Sequence, residues 1–335
     1  MENMNFLISL NILNVQTHGK MIYIALYLPG EAMDETDVAL CRLLIFNSRM
    51  PYSELAKALG ISVQSAHRRV QDLIASGVIS GFPAAFTTRA YRSTWVLVHG
   101  RSEAASMNGV LDALEREREM DMAMVASGNY LYIAGSVMDP GKINRFTSSV
   151  IKTAKLSRPQ VGIVYNPALM DVEDEAIIYP MDVKIVAALK NDSRRPVTEV
   201  AKELGVAPRT VTRHIDRLLK ANLVHFAIGW HPQMSGDIVT ALHLKVRRDR
   251  DREQVAAALV RRLAMREIIT YSFSDHPESM ICMAWSPTIL SLNQLVRELE
   301  DDRVYEEVVP NVILDARYYE GIKGTDPPVS YKASV

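Results

Sequence analysis

Two stretches, SRMPYSELAKALGISVQSAHRRVQDLIASGVI at Ser48–Ile79 and SRRPVTEVAKELGVAPRTVTRHIDRLLKANLV at Ser193–Val224, align without a gap when the sequence is shifted by 145 positions. Ser48-Arg49, Pro51, Glu54, Ala56-Lys57, Leu59-Gly60, Arg68 and Leu73 fall on identical residues, and upstream Asp37-Val38 falls on Asp182-Val183. The mismatches keep shape, as in Leu55 against Val200, Ile61 against Val206 and Val70 against Ile215. The chain is therefore an internal duplication. Each copy reads as three short helices. In the first, Val38, Leu40, Cys41, Leu44 and Ile45 recur at helical spacing. Pro51 is then a favoured opening residue, Leu55, Ala56 and Leu59 point inward, and Gly60 suits a tight turn that needs positive φ. Ser62 is placed to cap a third helix with Ala66, Val70 and Leu73 as its buried face. In the second copy Ala207 is a weaker cap, but Pro208 follows in first helical position. Gly77-Val78-Ile79 and Asn222-Leu223-Val224 lead from each third helix into short β-prone runs, as a wing would.

Downstream, each copy continues as strand, helix, two strands, helix, strand. In the first the strands are predicted at 94–98, 122–126, 130–137 and 161–165, with helices near 103–117 and 142–155. In the second they are predicted at 239–246, 268–273, 279–285 and 305–314, with helices near 252–264 and 289–299. This βαββαβ order is the ferredoxin-like arrangement, so the fold class is α+β, with two winged helix-turn-helix domains alternating with two ferredoxin-like domains. The division expected is an extension at 1–32, winged helix-turn-helix domains at 33–86 and 173–232, ferredoxin-like domains at 87–172 and 233–322, and a flexible tail at 323–335.

Bulk properties agree with several modest domains: 335 residues, 48% hydrophobic and 23% charged, match an ordinary globular chain. The two cysteines, Cys41 and Cys282, are far apart in apolar surroundings, which excludes a disulfide framework or a cysteine-rich metal site and fits a reducing, cytoplasmic compartment. The apolar runs at 6–15 and 21–28 are too short to span a bilayer and lack a positive leader, so no membrane association is expected. Residues 1–32 read as an extra element packed on the body or as an over-extended translation start, with Met21 and Met33 as alternative starts.

Asp34-Glu35-Thr36-Asp37, then Ser53-Glu54-Leu55-Ala56 with Leu59-Gly60-Ile61-Ser62, then Arg68-Arg69-Val70 with Leu73 and Gly77-Val78-Ile79, resemble the leucine-responsive/asparagine-synthesis regulators, Lrp/AsnC. The resemblance covers residues from about 34 to 320, twice over, as in the tandem-fused variants. It implies an intramolecular pseudo-dimer with two sensor sheets face to face, double-stranded DNA as partner and an amino acid or small metabolite as effector. A further homodimer or higher homo-oligomer stays open.

A recognition helix reads base edges and phosphates through polar and basic side chains opposite its packing stripe. The first copy offers Gln64, Ser65, His67, Arg68 and Arg69, and the second Arg209, Thr210, Thr212, Arg213 and His214. The total charge of −1 hides an asymmetry. Between 34 and 82 five basic residues balance five acidic ones, whereas between 180 and 226 nine basic residues face five acidic, so the second copy is expected to supply more phosphate affinity.

In sensors resembling this family the turn between the second and third strands helps form the effector pocket. Here those turns supply Gly128, Asn129 and Tyr130 in one copy and Asp275 and His276 in the other. Leu131 replaces the family's acidic residue after the aromatic, and Ser274-Asp275-His276-Pro277 departs further, so plain hairpin turns are the competing reading. The alternative function is a siroheme decarboxylase-like enzyme of haem biosynthesis, which shares the architecture. Tyr91-Arg92-Ser93-Thr94 and Tyr271 with His276 resemble such enzymes, but their His-Asn-Tyr and Tyr-Asn-Trp signatures are missing from the expected turns. Scattered histidines, with His225 and His231 flanking a wing, and the lack of a phosphate loop or nucleophile motif lead to an expectation of no catalytic residues, no metal and no cofactor.

Overall fold

The computed structural model describes residues 11–17, 20–26, 32–165, 177–324 and 327. The expected tail lies almost wholly outside them, and of the N-terminal extension the described part is chiefly an antiparallel pair, β1 (Asn11–Thr17) with β2 (Lys20–Leu26).

Asp34 opens the first tri-helical unit: its carboxylate accepts from the Asp37 amide while the Asp37 carboxylate accepts from the Asp34 amide, so α1 (Glu35–Phe46) begins in a capping box. Pro51 serves as the N-cap of α2 (Tyr52–Leu59) rather than its first helical residue. Gly60 ends that helix at φ 67°, and Ser62 accepts from Ser65 N at 3.1 Å to start α3 (Val63–Ala75). Two short strands, β3 (Ile79–Gly81) and β4 (Ala84–Phe86), and a single turn, α4 (Thr88–Tyr91), lead to the first sensor half.

That half runs β5 (Thr94–Ser102), α5 (Met107–Leu114), β6 (Met120–Ala126), β7 (Tyr130–Val137), α6 (Ile143–Thr153) and β8 (Leu156–Tyr165). The second copy repeats the plan: α7 (Pro180–Leu189), α8 (Val197–Leu204) and α9 (Pro208–Lys220), then β9 (Val224–Phe226) and β10 (Gly229–Trp230). Its sensor half is β11 (Ile238–Val246), α10 (Arg252–Leu263), β12 (Glu267–Phe273), β13 (Ser279–Ser286), α11 (Ile289–Asp301) and β14 (Tyr305–Tyr318). As expected, Ala207 makes no side-chain cap and Pro208 opens α9, while Gly205 sits at φ 66°.

The sensor halves do more than face each other. Sheet β8-β5-β7-β6 and sheet β14-β11-β13-β12 hydrogen-bond at both edges, closing an eight-stranded barrel. One seam is long, because β14 outruns β11 and its last residues pair with β6 from Ile313↔Ala126 to Tyr318↔Met122. The other, β8 with β12, has only Ser272↔Tyr165 and Phe273↔Val164. Pairing the edges satisfies backbone groups that two stacked open sheets would leave bare. Strand alternation sorts the side chains. Val96 and Val98 of β5 pack outward with Leu111, Leu114, Phe146 and Val150 of the helices, while Leu97 shares the interior with Ala241, Ile281, Met283 and Trp285. Gly162 of β8 is needed where Phe273 crosses, since a Cβ there would collide with the ring.

The wings carry the largest departure from expectation. β3 pairs with β10 and β4 with β9, so each copy's wing strands complete the other's rather than their own. Ile228 and Trp230 are buried in the cluster that holds Leu40, Leu44 and Leu55, and Ala84 and Phe86 are buried with Ile185, Val200 and Ile215. Ser48 and Ser193, equivalent positions 145 residues apart, hydrogen-bond through their hydroxyls at 2.6 Å, which puts them on the pseudo-two-fold axis. Ser48 N donates to Phe226 O at 2.8 Å and Ser193 N to Phe82 O at 2.6 Å. Around this axis the guanidinium of Arg194 donates to Ser48 O at 2.6 Å and to Tyr52 Oη at 2.7 Å while lying 4.8 Å from the ring centres of Tyr52 and Phe82. Arg49 donates to the carbonyls of Ser193 and Arg195 and lies over Phe226.

Candidate nucleic-acid interface and sensor site

α3 and α9 are strongly two-faced helices. Ala66, Val70 and Leu73, and in the other copy Val211, Ile215 and Leu218, are buried. Opposite them Gln64, His67 and Arg68 are exposed with Ser65 half-exposed, and Arg209, Thr212 and Arg213 are exposed with Thr210 half-exposed. His67 packs edge-on against Tyr52 at 4.9 Å, and the Thr212 hydroxyl donates back to Pro208 O at 3.2 Å. Arg68 keeps a loose pair with Asp72 at 3.9 Å, whereas Arg209 and Arg213 have no ion pair among the described residues.

Arg69 and His214 occupy equivalent positions but are turned inward. Arg69 bridges Asp34 at 2.9 Å and Asp37 at 2.7 Å; His214 Nδ1 meets Asp182 Oδ1 at 2.6 Å, and Arg217 pairs with the second oxygen of that fully buried carboxylate. These contacts brace each third helix against the first turn of its first helix and draw Arg69 and His214 away from the exposed face. Asp34 is held below its ordinary carboxyl range by hydrogen bonds and the Arg69 charge, which outweigh burial, whereas deeper burial of Asp37 pushes it upward.

The charge asymmetry survives these engagements. Of the nine basic residues in the second copy, Lys190 pairs with Glu320, Arg195 with Glu203, Arg217 with Asp182, and Arg194 serves the interface. Lys184, Lys202, Arg209, Arg213 and Lys220 are exposed and have no ion pair among the described residues. In the first copy Arg42, Arg49 and Arg69 are engaged, leaving Lys57 and the loosely held Arg68.

An AsnC-type helix-turn-helix domain matches residues 33–74 and again 180–219. The regulatory protein AsnC of Haemophilus influenzae is 30% identical over 100 residues, covering 29% of this chain and 67% of that protein. The chain belongs to the Lrp/AsnC family. It is a tandem-duplicated member, with both helix-turn-helix units on one polypeptide. An uncharacterised helix-turn-helix-type transcriptional regulator of Pyrococcus horikoshii is 28% identical over 116 residues, 34% of this chain and 73% of that protein. Among solved structures, the siroheme decarboxylase NirDL matches 84% of this chain and 92% of its own at a TM-score of 0.54 and 12% identity, a likeness of fold.

At the sensor turns Gly128 and Asn129 both adopt positive φ, 69° and 58°, and are exposed. Tyr130 Oη lies 2.8 Å from His99 Nδ1. Asp275 accepts from Ile163 N at 2.9 Å, tying its turn to β8, and His276 lies 3.9 Å from Asp275. Between the turns, inside the barrel, sits a cluster absent from the sequence expectations: Tyr132 Oη is 2.6 Å from His243 Nε2 and accepts from Asn311 Nδ2 at 2.8 Å, with His99 and His243 ring centres 5.0 Å apart. Burial, reinforced by the charges of His243 and His276, pulls His99 down to about 3, and burial alone pulls His243 down to about 4. Tyr130 is pushed up to about 12 by burial. The cluster is neutral at pH 7 and can exchange hydrogen bonds without carrying charge. The available signal was a histidine two residues beyond a core residue, Leu97-x-His99 and Ala241-x-His243, on the first strand of each sensor half. No group of three candidate metal ligands occurs among the described residues, and no helix there is long and apolar enough to cross a membrane.

Proposed function

We propose that this family member is a sequence-specific, DNA-binding transcriptional regulator that reads unlike half-sites with α3 and α9 and responds to an amino acid or small metabolite in the cytoplasm. The observation that carries the reading is the exposed polar and basic face on each third helix, stripped of Arg69 and His214. Gln64, Ser65, His67 and Arg68 on one helix, and Arg209, Thr210, Thr212 and Arg213 on the other, are the base- and phosphate-contacting set. Gly128, Asn129, Tyr130, Asp275 and His276 remain the effector-binding candidates. The siroheme decarboxylase reading has the shared fold in its support and no matching signature.

Arg213→Ala is expected to weaken operator binding more than Arg68→Ala, because Arg68 already has Asp72 beside it and Arg213 has no carboxylate partner among the described residues. A bidentate arginine–guanine contact is worth roughly 1–3 kcal/mol, and a lost phosphate contact lowers the salt slope by about one unit. Gel-shift titrations at several salt concentrations measure both; equal losses would remove the asymmetry. Because the two reading faces differ in sequence, a footprinted native operator should be an imperfect palindrome. Equal affinity for both arms of a perfectly symmetric site would contradict the proposal.

A further inference from the structure

Beside the short β8–β12 seam the barrel wall opens into a groove of about 1180 Å³, walled by α1, α4, the start of β5, the end of β8, β12 and α10. That volume exceeds the roughly 300–1,000 Å³ usual for small-molecule sites. Four arginines line it, Arg42, Arg89, Arg92 and Arg252, against two carboxylates, Glu253 and Glu267. Arg42 already pairs with Glu267 at 2.9 Å, and Arg92 and Arg252 together outnumber the remaining carboxylate, Glu253. Arg252 is held ready: it donates to Phe273 O at 2.9 Å and lies 5.2 Å from the centre of the Tyr165 ring. Arg92 is exposed, in a left-handed conformation at φ 51° after α4, with no hydrogen bond or ion pair from its side chain among the described residues. Trp95 and Tyr271, 5.3 Å apart, supply an aromatic floor. Tyr271 is buried, and burial raises the pKa of its phenol, so the hydroxyl stays protonated at neutral pH.

We propose that this groove is a binding site for a planar, apolar-bodied organic anion, whose body lies on Trp95 and Tyr271 and whose charged end is met by Arg92 and Arg252. Two forked guanidiniums suit an oxyanion, and the rings suit a flat apolar surface. The site is separate from the sensor turns named above and draws on both copies. Since α1 forms one wall, an occupant touches the first DNA-binding unit and the second sensor half together. That consequence for DNA binding rests on the regulator reading, whereas occupancy of the groove does not.

Two dyes that differ chiefly in charge test the site on the full chain. 8-Anilinonaphthalene-1-sulfonate is the planar anion and N-phenyl-1-naphthylamine its neutral counterpart. The anion is expected to bind with one-to-one stoichiometry, quenching tryptophan emission, at least about tenfold tighter than the neutral dye. Arg92→Gln should cut the affinity for the anion about fivefold or more and leave the neutral dye unchanged. Ala257→Trp, on the exposed α10 wall, should block both. Equal binding of the two dyes, insensitivity to Arg92→Gln, or binding that survives Ala257→Trp would each overturn the assignment. Gel shifts of the same variants without dye report DNA binding separately, so loss of the site and loss of the regulator reading are distinguishable.

Discussion

Lowering the pH from 7 to 4 should cost this protein on the order of 5 kcal/mol of folding free energy through His99 and His243 alone. Burial holds the two at about 3 and about 4 in the folded chain, against an ordinary histidine value of 6.5. The folded state therefore binds fewer protons than the unfolded state throughout this window. The stabilisation is complete above the unfolded value, and it drains away as the pH falls below 6.5 toward the folded values. Tyr130, Tyr132 and Asn311, which hydrogen-bond the two rings or their partner, do not change charge here, and His276 adds repulsion once protonated. Chemical denaturation at pH 7, 5.5 and 4 measures the slope. Carboxylates also titrate in this range, so the comparison is with His99→Gln/His243→Gln: the double variant should start less stable and lose distinctly less on acidification. Parallel curves would show that the histidines are not held neutral by the fold.

Trp230→Ala should destabilise the first tri-helical unit by about 3–5 kcal/mol, although residue 230 belongs to the second copy. The indole is buried with Leu40, Leu44 and Leu55, and β10 pairs with β3. Hydrogen exchange should show protection lost first in α1–α3, before α7–α9, with Trp230→Phe restoring most of it. Loss confined to the second tri-helical unit would mean that the wings complete their own copies.

The elements were largely legible because local rules and the tertiary fold agree. Tyr130–Val137 is a strand where a β-rich run predicted one, and Ser62, Gly60 and Gly205 cap and stop helices as their chemistry dictates. Pairing between elements was not legible. A three-residue strand such as β3 carries no signal naming its partner, so the exchange with β10 is invisible to periodicity. The same holds for charge. Arg68 and Arg69 look alike in sequence, and only the approach of Asp34 and Asp37 separates an exposed arginine from one held in a brace. Arg194 was counted toward phosphate affinity, yet its guanidinium closes the interface between the copies. The histidine cluster and the arginine groove likewise draw residues from both copies, which no single motif spans.

The exchanged wings also put the chain on a timetable. A ribosome must add about 150 residues after Ile79 before Trp230 is made; at roughly 5–20 residues per second that is about 8 to 30 s. Throughout that interval the first three helices exist without the aromatic lid of their own core. The N-terminal unit thus cannot complete its core in order of synthesis, because Trp230, which packs into it, arrives only with the second half of the polypeptide.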